Sequence, residues 1–440
     1  MAVKVCKFGG TSMADGNVMS RVRNIIESDK DRKYVVVSAP GKRYSGDVKI
    51  TDILYQCHRE VEERGACGAS FELIRNRFNC IVRELNIDFD INSVLDETER
   101  RINAEKDEDF TASRGEYLSA RVMAEVLGAK FIDAEDVIFF DKNGAYDAAK
   151  SDKAINDALR GAEKAVFPGF YGRGYNGKVK TFSRGGSDIS GAIVARAVNA
   201  TVYENWTDVS GFLACDPRIV DSPRRIKALS YKELRELSYM GANVLHSESI
   251  FPVRKANIPI HIKNTFRPED EGTLIQPSVY YTPSGSIVTG IAGKKDFTVI
   301  FIEKSLMNYQ IGFVRKVLSV LEKYNVPVEH IPSGIDTMSV VIECSALKDG
   351  KLELILQGIK EAVAPDVLRV NEDIALIATV GHGMSSSVGT SARLFKAMAE
   401  ASVNVRMIDQ GSSELNIIVG VKNEDCEKCI RAIYREFFGN

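Results

Sequence analysis

Val3-Lys4-Val5-Cys6-Lys7-Phe8-Gly9-Gly10-Thr11-Ser12 opens the chain with a short β-branched run, a lysine, two glycines and two hydroxyls. Val3-Lys4-Val5 reads as a strand, and the glycines after it make a turn whose backbone N–H groups can approach phosphate oxygens. A lysine there supplies the positive charge that phosphoryl transfer demands. Because the lysine precedes the glycines, the stretch is not a Walker A loop. By itself it reads equally well as a tight strand-to-helix turn with an incidental lysine, so its neighbours decide.

Outward from this turn, β-branched and amphipathic runs alternate. Helical periodicity over residues 18–26 is followed by a strand over 34–37 and a helix over 50–64. Strands over 129–133, 165–170 and 200–206 and helices over 111–127, 151–160 and 187–198 continue the pattern. The alternation predicts an α/β fold, a mostly parallel sheet covered by helices, with ligands at the carboxyl ends of its strands. Ser230 to Glu233 spells a capping box, with Tyr231, Leu234 and Leu237 as the buried face of the helix it opens. The pattern fades near Thr273, and up to Gly293 the chain is rich in Gly, Pro, Ser and Thr.

Beyond that stretch the chain repeats itself at an offset of 77 residues: Ile311-Gly312 falls on Val388-Gly389, and Val326, Val328 and Ile331 fall on Val403, Val405 and Ile408. Val299-Ile300 likewise falls on Leu376-Ile377, and the segment from Met338 to Glu343 falls on that from Leu415 to Gly420. Each copy reads strand, helix, strand, strand, helix. The expected organisation is a catalytic domain over 1–275, a connection over 276–296, and two small α+β repeats over 297–370 and 371–440.

Composition narrows the function. The 440 residues carry 58 basic and 60 acidic side chains, a formal charge of −2, which gives no general attraction to nucleic acid or to a membrane surface. Neither is an expected partner. The first ten residues lack the apolar core of a secretory signal, and eight cysteines in 440 residues suit a reducing compartment, so a soluble cytoplasmic protein is expected.

A second constellation, Arg184-Gly185-Gly186-Ser187-Asp188, follows a strand-like run and opens a helix. Helix-start amides attract anions. Arg184 can grip a carboxylate with two parallel bonds, and Asp188 can orient Lys7 or face a magnesium ion. The alternative is that Ser187 or Asp188 merely caps the helix. Gly172, Gly174 and Gly177 fit the dinucleotide fingerprint in letters but lead into the β-like Lys178-Val179-Lys180. Cys426 and Cys429 have the spacing of half a zinc site without a second pair, and the repeat places Cys429 on Leu352, a buried helix position.

Lys7 to Ser12, Arg114-Gly115-Glu116, Arg184 to Asp188, and Trp206-Thr207-Asp208-Val209-Ser210-Gly211 through Asp216-Pro217-Arg218 stand in the order found in aspartokinases. The chain resembles the monofunctional members of that family over essentially its full length. The resemblance implies an amino acid kinase fold followed by two ACT domains, and transfer of phosphoryl from MgATP, with Mg2+ accompanying ATP, to L-aspartate. It makes Lys7 and Asp188 catalytic, and Ser38, Thr51, Glu116, Arg184 and Ser187 substrate-binding. For the nucleotide it implies Lys7, Gly9, Gly10, Thr11, Ser12, Thr207, Asp208 and Arg218. Glu116 sits in an expected helix, where a solvated face is the ordinary reading. Leu213 and Asn243 depart from the tyrosine and lysine of many relatives, and the stretch 42–49 is longer than in many of them.

The same resemblance implies feedback by an amino acid, lysine more than threonine, at Met307, Gly312, Phe313, Val328 and Glu329, and a homodimer or tetramer formed through the ACT domains. Tyr309, Gln310 and Glu329 differ from some lysine-sensitive relatives. The competing expectations are packing of these residues in a structural dimer module, another amino acid kinase such as glutamate or acetylglutamate kinase, and a catalytically silent amino acid sensor.

Overall fold

A computed structural model describes residues 2–183, 185–241, 245, 250–277 and 286–439. Among these, residues within 1–212, 225–234 and 243–282 form one compact unit, and those within 213–224, 235–242 and 283–440 a second.

In chain order the first part contains β1 (Lys4–Phe8), α1 (Gly16–Glu27), β2 (Arg32–Val37), α2 (Ile50–Arg64), α3 (Gly68–Leu85), α4 (Ile91–Glu105), α5 (Glu108–Leu127), β3 (Lys130–Phe131), α6 (Ala134–Val137), α7 (Ala148–Ala158) and β4 (Ala165–Pro168). Then come β5 (Tyr171–Arg173), β6 (Val179–Thr181), α8 (Gly186–Ala197), β7 (Val202–Thr207), β8 (Ala228–Ser230), α9 (Tyr231–Tyr239), α10 (Phe251–Lys255), β9 (Ile260–Asn264) and β10 (Thr273–Gln276). Eight strands form one sheet in the order β3-β4-β2-β1-β7-β9-β10-β8. Its pairs are parallel except for β9 with β10.

The central strand β1 buries Val5, Cys6 and Phe8 completely, as a strand covered on both faces must. Helix ends obey local chemistry. Asp15 caps α1 by accepting from the Val18 N–H, and Asp107 caps α5 by accepting from Phe110. Gly65 and Gly128, at φ 85° and 56°, end α2 and α5 in the left-handed region open to glycine. The expected capping box is present: Ser230 Oγ accepts from the Glu233 N–H at 3.2 Å, and Glu233 accepts from the Ser230 N–H at 2.7 Å. Gly172, Gly174 and Gly177 lie in the β5–β6 hairpin, not before a helix.

The second part contains β11 (Gly290–Glu303), α11 (Phe313–Lys323), β12 (Thr337–Glu343), α12 (Lys351–Val363), β13 (Val367–Val380), α13 (Thr390–Glu400), β14 (Met407–Asp409), β15 (Asn416–Lys422) and α14 (Cys426–Phe438). The strands form one antiparallel sheet in the order β12-β11-β13-β15-β14. The 77-residue repeat is visible in its register. Gly293 pairs with Ile377 and Ile300 with Val370, and the offset carries each of these pairs onto the other. Two copies thus meet about a local two-fold between β11 and β13, and each long strand serves both. Residues 290–296, expected in the connection, already belong to β11.

The copies differ where their hairpins turn. Val299 pairs with Val341 and its counterpart Leu376 with Gly420, so β15 follows β12 at an offset of 79, and Met338–Glu343 falls on Ile417–Lys422 rather than on Leu415–Gly420 as expected, the second hairpin being two residues longer. The third element of the first copy consists of two isolated bridges, His330 with Val341 and Ser333 with Met338. Ile300, Ile302, Val317, Val340, Ile342, Ile355 and Ile359 form the core of that copy. Cys426 and Cys429 are buried on α14.

Candidate active site

The site grows from the register of β1 against β7. Lys7 lies opposite Asn205 and Phe8 opposite Trp206, the last two rings stacked at 5.9 Å. Strand alternation sends Lys7 and Asn205 to one face, where α8 presents Asp188. Lys7 Nζ stands 2.6 Å from Asp188 Oδ1, and Asn205 Nδ2 donates to the same oxygen at 2.8 Å. The Tyr203 hydroxyl donates to the Asp188 carbonyl at 3.1 Å. Lys7 is 8% exposed.

After β1 the chain turns sharply. The Gly9 N–H donates to the Trp206 carbonyl at 3.1 Å, and the Ser12 N–H donates back to Gly9 at 3.0 Å. The Gly41 N–H donates to the Gly10 carbonyl at 2.8 Å. A Cβ on Gly41 would sit 2.7 Å from the Gly10 carbonyl carbon, so the loop after β2 seats against this turn only with glycine there. The buried Ser12 hydroxyl shares a 2.8 Å hydrogen bond with Thr265, so it ties the turn down from below. Thr11 is partly exposed.

At α8, the cap reading of Ser187 and Asp188 is corrected. The N-cap is Gly185, at φ 58° and without a side-chain cap bond, which frees Asp188 for Lys7. Ser187 sits over Gly169, where a Cβ would fall 2.7 Å from its own. Arg184 lies outside the described residues.

Glu116 is 5% exposed on α5, which corrects the solvated-face reading. Burial pushes its carboxyl up to about 8, against the lowering effect of the Ala39 and Glu116 backbone N–H groups and of the Arg114 and Lys7 charges. Its Oε2 is buried with no hydrogen-bond partner among the described residues. Gly115 lets α5 approach this closely, since a Cβ there would fall 2.6 Å from that of Ala39. Arg114 is spent internally. Its guanidinium lies 4.2, 4.7 and 5.1 Å from the rings of Phe110, Tyr117 and Tyr171, and it donates to the Phe110 carbonyl and the Ser113 hydroxyl. Ser38 follows β2, its N–H donating to the Phe8 carbonyl at 3.1 Å, and Thr51 stands in the first turn of α2. Both are partly exposed.

Thr207 ends β7, and its hydroxyl donates to Asp208 at 3.2 Å. Asn264, which the sequence reading missed, donates to the Asp208 carbonyl at 3.3 Å and to Ser210 at 2.9 Å; its place after the alternating Ile258-x-Ile260-x-Ile262 run was the available signal. Arg218 pairs with Asp216 at 2.7 Å on the 213–224 segment, which clusters with the second unit. Leu213 is partly buried, and Asn243 lies outside the described residues.

In the second unit, Gly312 starts α11 at φ 81°, Met307 and Phe313 are buried, and Val328 and Glu329 are partly buried. The Glu329 N–H donates to the Val341 carbonyl at 2.9 Å. Its carboxylate accepts from the hydroxyl of Tyr239, a neighbour that no sequence signal indicated.

A mostly parallel sheet that brings a lysine, an aspartate and a glycine turn together at its carboxyl edge is suited to phosphoryl transfer. Residues 2–264 match the amino acid kinase family and residues 377–437 an ACT domain. The chain is 38% identical to aspartokinase 3 of Bacillus subtilis (strain 168) over 450 residues, 99% of each protein. The crystal structure of Clostridium acetobutylicum aspartate kinase matches with a TM-score of 0.91 at 51% identity, covering 100% of both chains. E. coli aspartokinase III matches in two states, at 26% identity and 99% of this chain. Its complex with aspartate and ADP gives a TM-score of 0.76 over 100% of that chain, and its complex with lysine and aspartate 0.73 over 99%. The chain belongs to the aspartokinase family.

Proposed function

We propose that this chain transfers the γ-phosphoryl group of MgATP to the side-chain carboxylate of L-aspartate, giving 4-phospho-L-aspartate and ADP, the first step toward the aspartate-derived amino acids. The observation that carries the reading is the convergence of Lys7 and Asn205 on Asp188 beside the glycine turn. An aspartate side chain, with a reference pKa of about 3.9, is ionised at neutral pH and needs no general base. One of its oxygens bonds to the γ-phosphorus as the bond to the β,γ-bridging oxygen breaks. What remains is positioning two anions and neutralising charge.

In that reaction Lys7 stabilises the transferring group and Asp188 holds Lys7 in place. Magnesium would arrive with the nucleotide, and Asp188 would be the carboxylate to meet it. Gly9, Gly10 and Thr11 line the phosphate channel, Ser12 fixes the turn from beneath, and Thr207, Asp208 and Arg218 serve the nucleotide. Arg184 grips the aspartate α-carboxylate and Glu116 its ammonium, with Ser38, Thr51 and Ser187 as further contacts. The Glu116 oxygen that has no partner among the described residues supports its role, because a substrate ammonium would supply one and favour the charged carboxylate.

The second unit takes an amino acid effector, lysine ahead of threonine, at Met307, Gly312, Phe313, Val328 and Glu329, with Glu329 receiving an ammonium. Association through this unit, as a dimer or tetramer, is supported by Ile311 and Val388, fully exposed at matching positions of the repeat, and by Ile331 and Ile408, exposed likewise. No helix among the described residues is long and apolar enough to cross a membrane, and the cytoplasm is the proposed location.

Trapping the acyl phosphate with hydroxylamine tests the reading. Aspartyl hydroxamate from MgATP and aspartate, none from glutamate, and suppression by lysine are expected. No hydroxamate from folded protein would favour the amino acid sensor, and suppression by threonine alone would reassign the effector.

A further inference from the structure

The stretch 42–49, which carries Lys42, Arg43 and Lys49, has an anchor. Its residues are exposed except Asp47, which is 8% exposed. Asp47 Oδ2 accepts from the Arg43 backbone N–H at 3.0 Å, from Arg43 Nε at 2.8 Å and from Arg77 Nη2 at 2.7 Å, and Oδ1 accepts from Arg43 Nη2 at 3.1 Å. Arg77 comes from α3 and is 6% exposed. Its Nη1 donates to the carbonyls of Ala14 at 3.3 Å and Gly41 at 3.2 Å, and its Nη2 also reaches the Val48 carbonyl at 3.4 Å. One guanidinium therefore holds Ala14 just past the phosphate turn, Gly41 in the loop after β2, and Val48 at the end of that loop just before α2.

We propose that Arg77 is a positioning residue for phosphoryl transfer: through Ala14, Gly41 and Asp47 it sets the glycine turn that faces the phosphates against Ser38 and Thr51, which face the amino acid. The inference rests on the aspartate kinase reading. Gly41 transmits the restraint directly, because its N–H bonds Gly10 within the turn. A buried ion pair is poor evidence for stability, since apolar residues of the same volume often serve as well. Here the rigid fork is spread over main-chain carbonyls flanking both halves of one site, which an apolar side chain cannot imitate. Misplacing reacting groups by about 1 Å costs roughly 100-fold in rate, so the restraint is read in turnover.

The test uses full-length Arg77→Met, Arg77→Lys and Asp47→Asn proteins, each checked for a wild-type circular dichroism spectrum and assayed well below its melting temperature. Arg77→Met is expected to lose roughly 10- to 100-fold in kcat with a raised KM for MgATP. Arg77→Lys should recover part of the loss, because it restores the charge without the fork. Asp47→Asn should lower kcat in the same direction by less. A folded Arg77→Met with wild-type kcat and both KM values, whatever its melting temperature, overturns the proposal; if the Arg77 variants do not fold, wild-type kinetics in Asp47→Asn does so. Failure of the underlying reading appears separately, as wild-type protein that makes no aspartyl hydroxamate. Should the wild type phosphorylate another carboxylic acid, the same variants are assayed on that acid.

Discussion

Lys7 and Asn205 are register partners on neighbouring parallel strands, and both reach one oxygen of Asp188, at 2.6 and 2.8 Å. The backbone ladder thus aims the ammonium before any ligand arrives, and a site built on paired strands is stiffer than one built on a loop.

Replacing that ammonium tests its role. Lys7→Ala should reduce turnover at saturating substrates by roughly 100-fold or more, about 3 kcal/mol for one electrostatic stabiliser, with an unchanged circular dichroism spectrum. Near-normal hydroxamate formation would remove Lys7 from the chemistry.

Glu116 gives a signed pH dependence. Its carboxyl is pushed up to about 8 in the folded chain and sits near about 4.3 when unfolded. The folded state keeps a proton that the unfolded state releases, so its stabilising effect is full below the unfolded value and is lost as pH rises through the folded one. Glu116→Gln should therefore gain melting temperature over wild type toward pH 8.5 and match it near pH 4.

The same group acts with opposite sign on substrate affinity. A substrate ammonium favours the carboxylate, so the wild-type KM for aspartate should fall as pH rises from about 6.5 to about 8.5. Glu116→Gln should show a higher and flatter KM. Identical profiles would detach Glu116 from aspartate.

Gly115 is a packing requirement. An added methyl at 2.6 Å from Ala39 Cβ and 3.3 Å from Leu54 Cδ1 should cost about 1–3 kcal/mol as overpacking. Urea denaturation of Gly115→Ala should show an earlier midpoint, accompanied by a raised KM for aspartate because Ala39 adjoins Ser38. An unshifted midpoint would mean that the helix and strand end yield freely.

In the second unit, Ile300 is fully buried. Ile300→Ala should cost about 2–5 kcal/mol and weaken suppression by lysine before it weakens turnover. Loss of both in parallel across a temperature series would contradict that order.

Local patterns were legible in the sequence. The β1 turn, the bounds of α2, the Ser230–Glu233 capping box and the repeat followed from spacing alone. α5 starts at Glu108, three residues before the expected helix, because Asp107 caps it with a bond to Phe110 at 2.9 Å. Residues 68–105 were not assigned, yet they form α3 and α4, and Arg77 was hidden with them. Asn205, Asn264 and Tyr239 escaped because each gains meaning only from a partner brought near by strand register or helix packing. Asp188 was ambiguous between cap and site until Gly185 took the cap position.

The shared strands decide how the duplication can be undone. The second copy takes residues 290–296 of β11 from ahead of the first, so severing the chain between the repeats would leave the second half a strand short and open-edged. Phe297 and Ile374, by contrast, lie opposite each other on β11 and β13. The first copy is therefore a nested insert whose ends are already adjacent, and removing 297–373 with a short splice would leave the second copy a complete sheet.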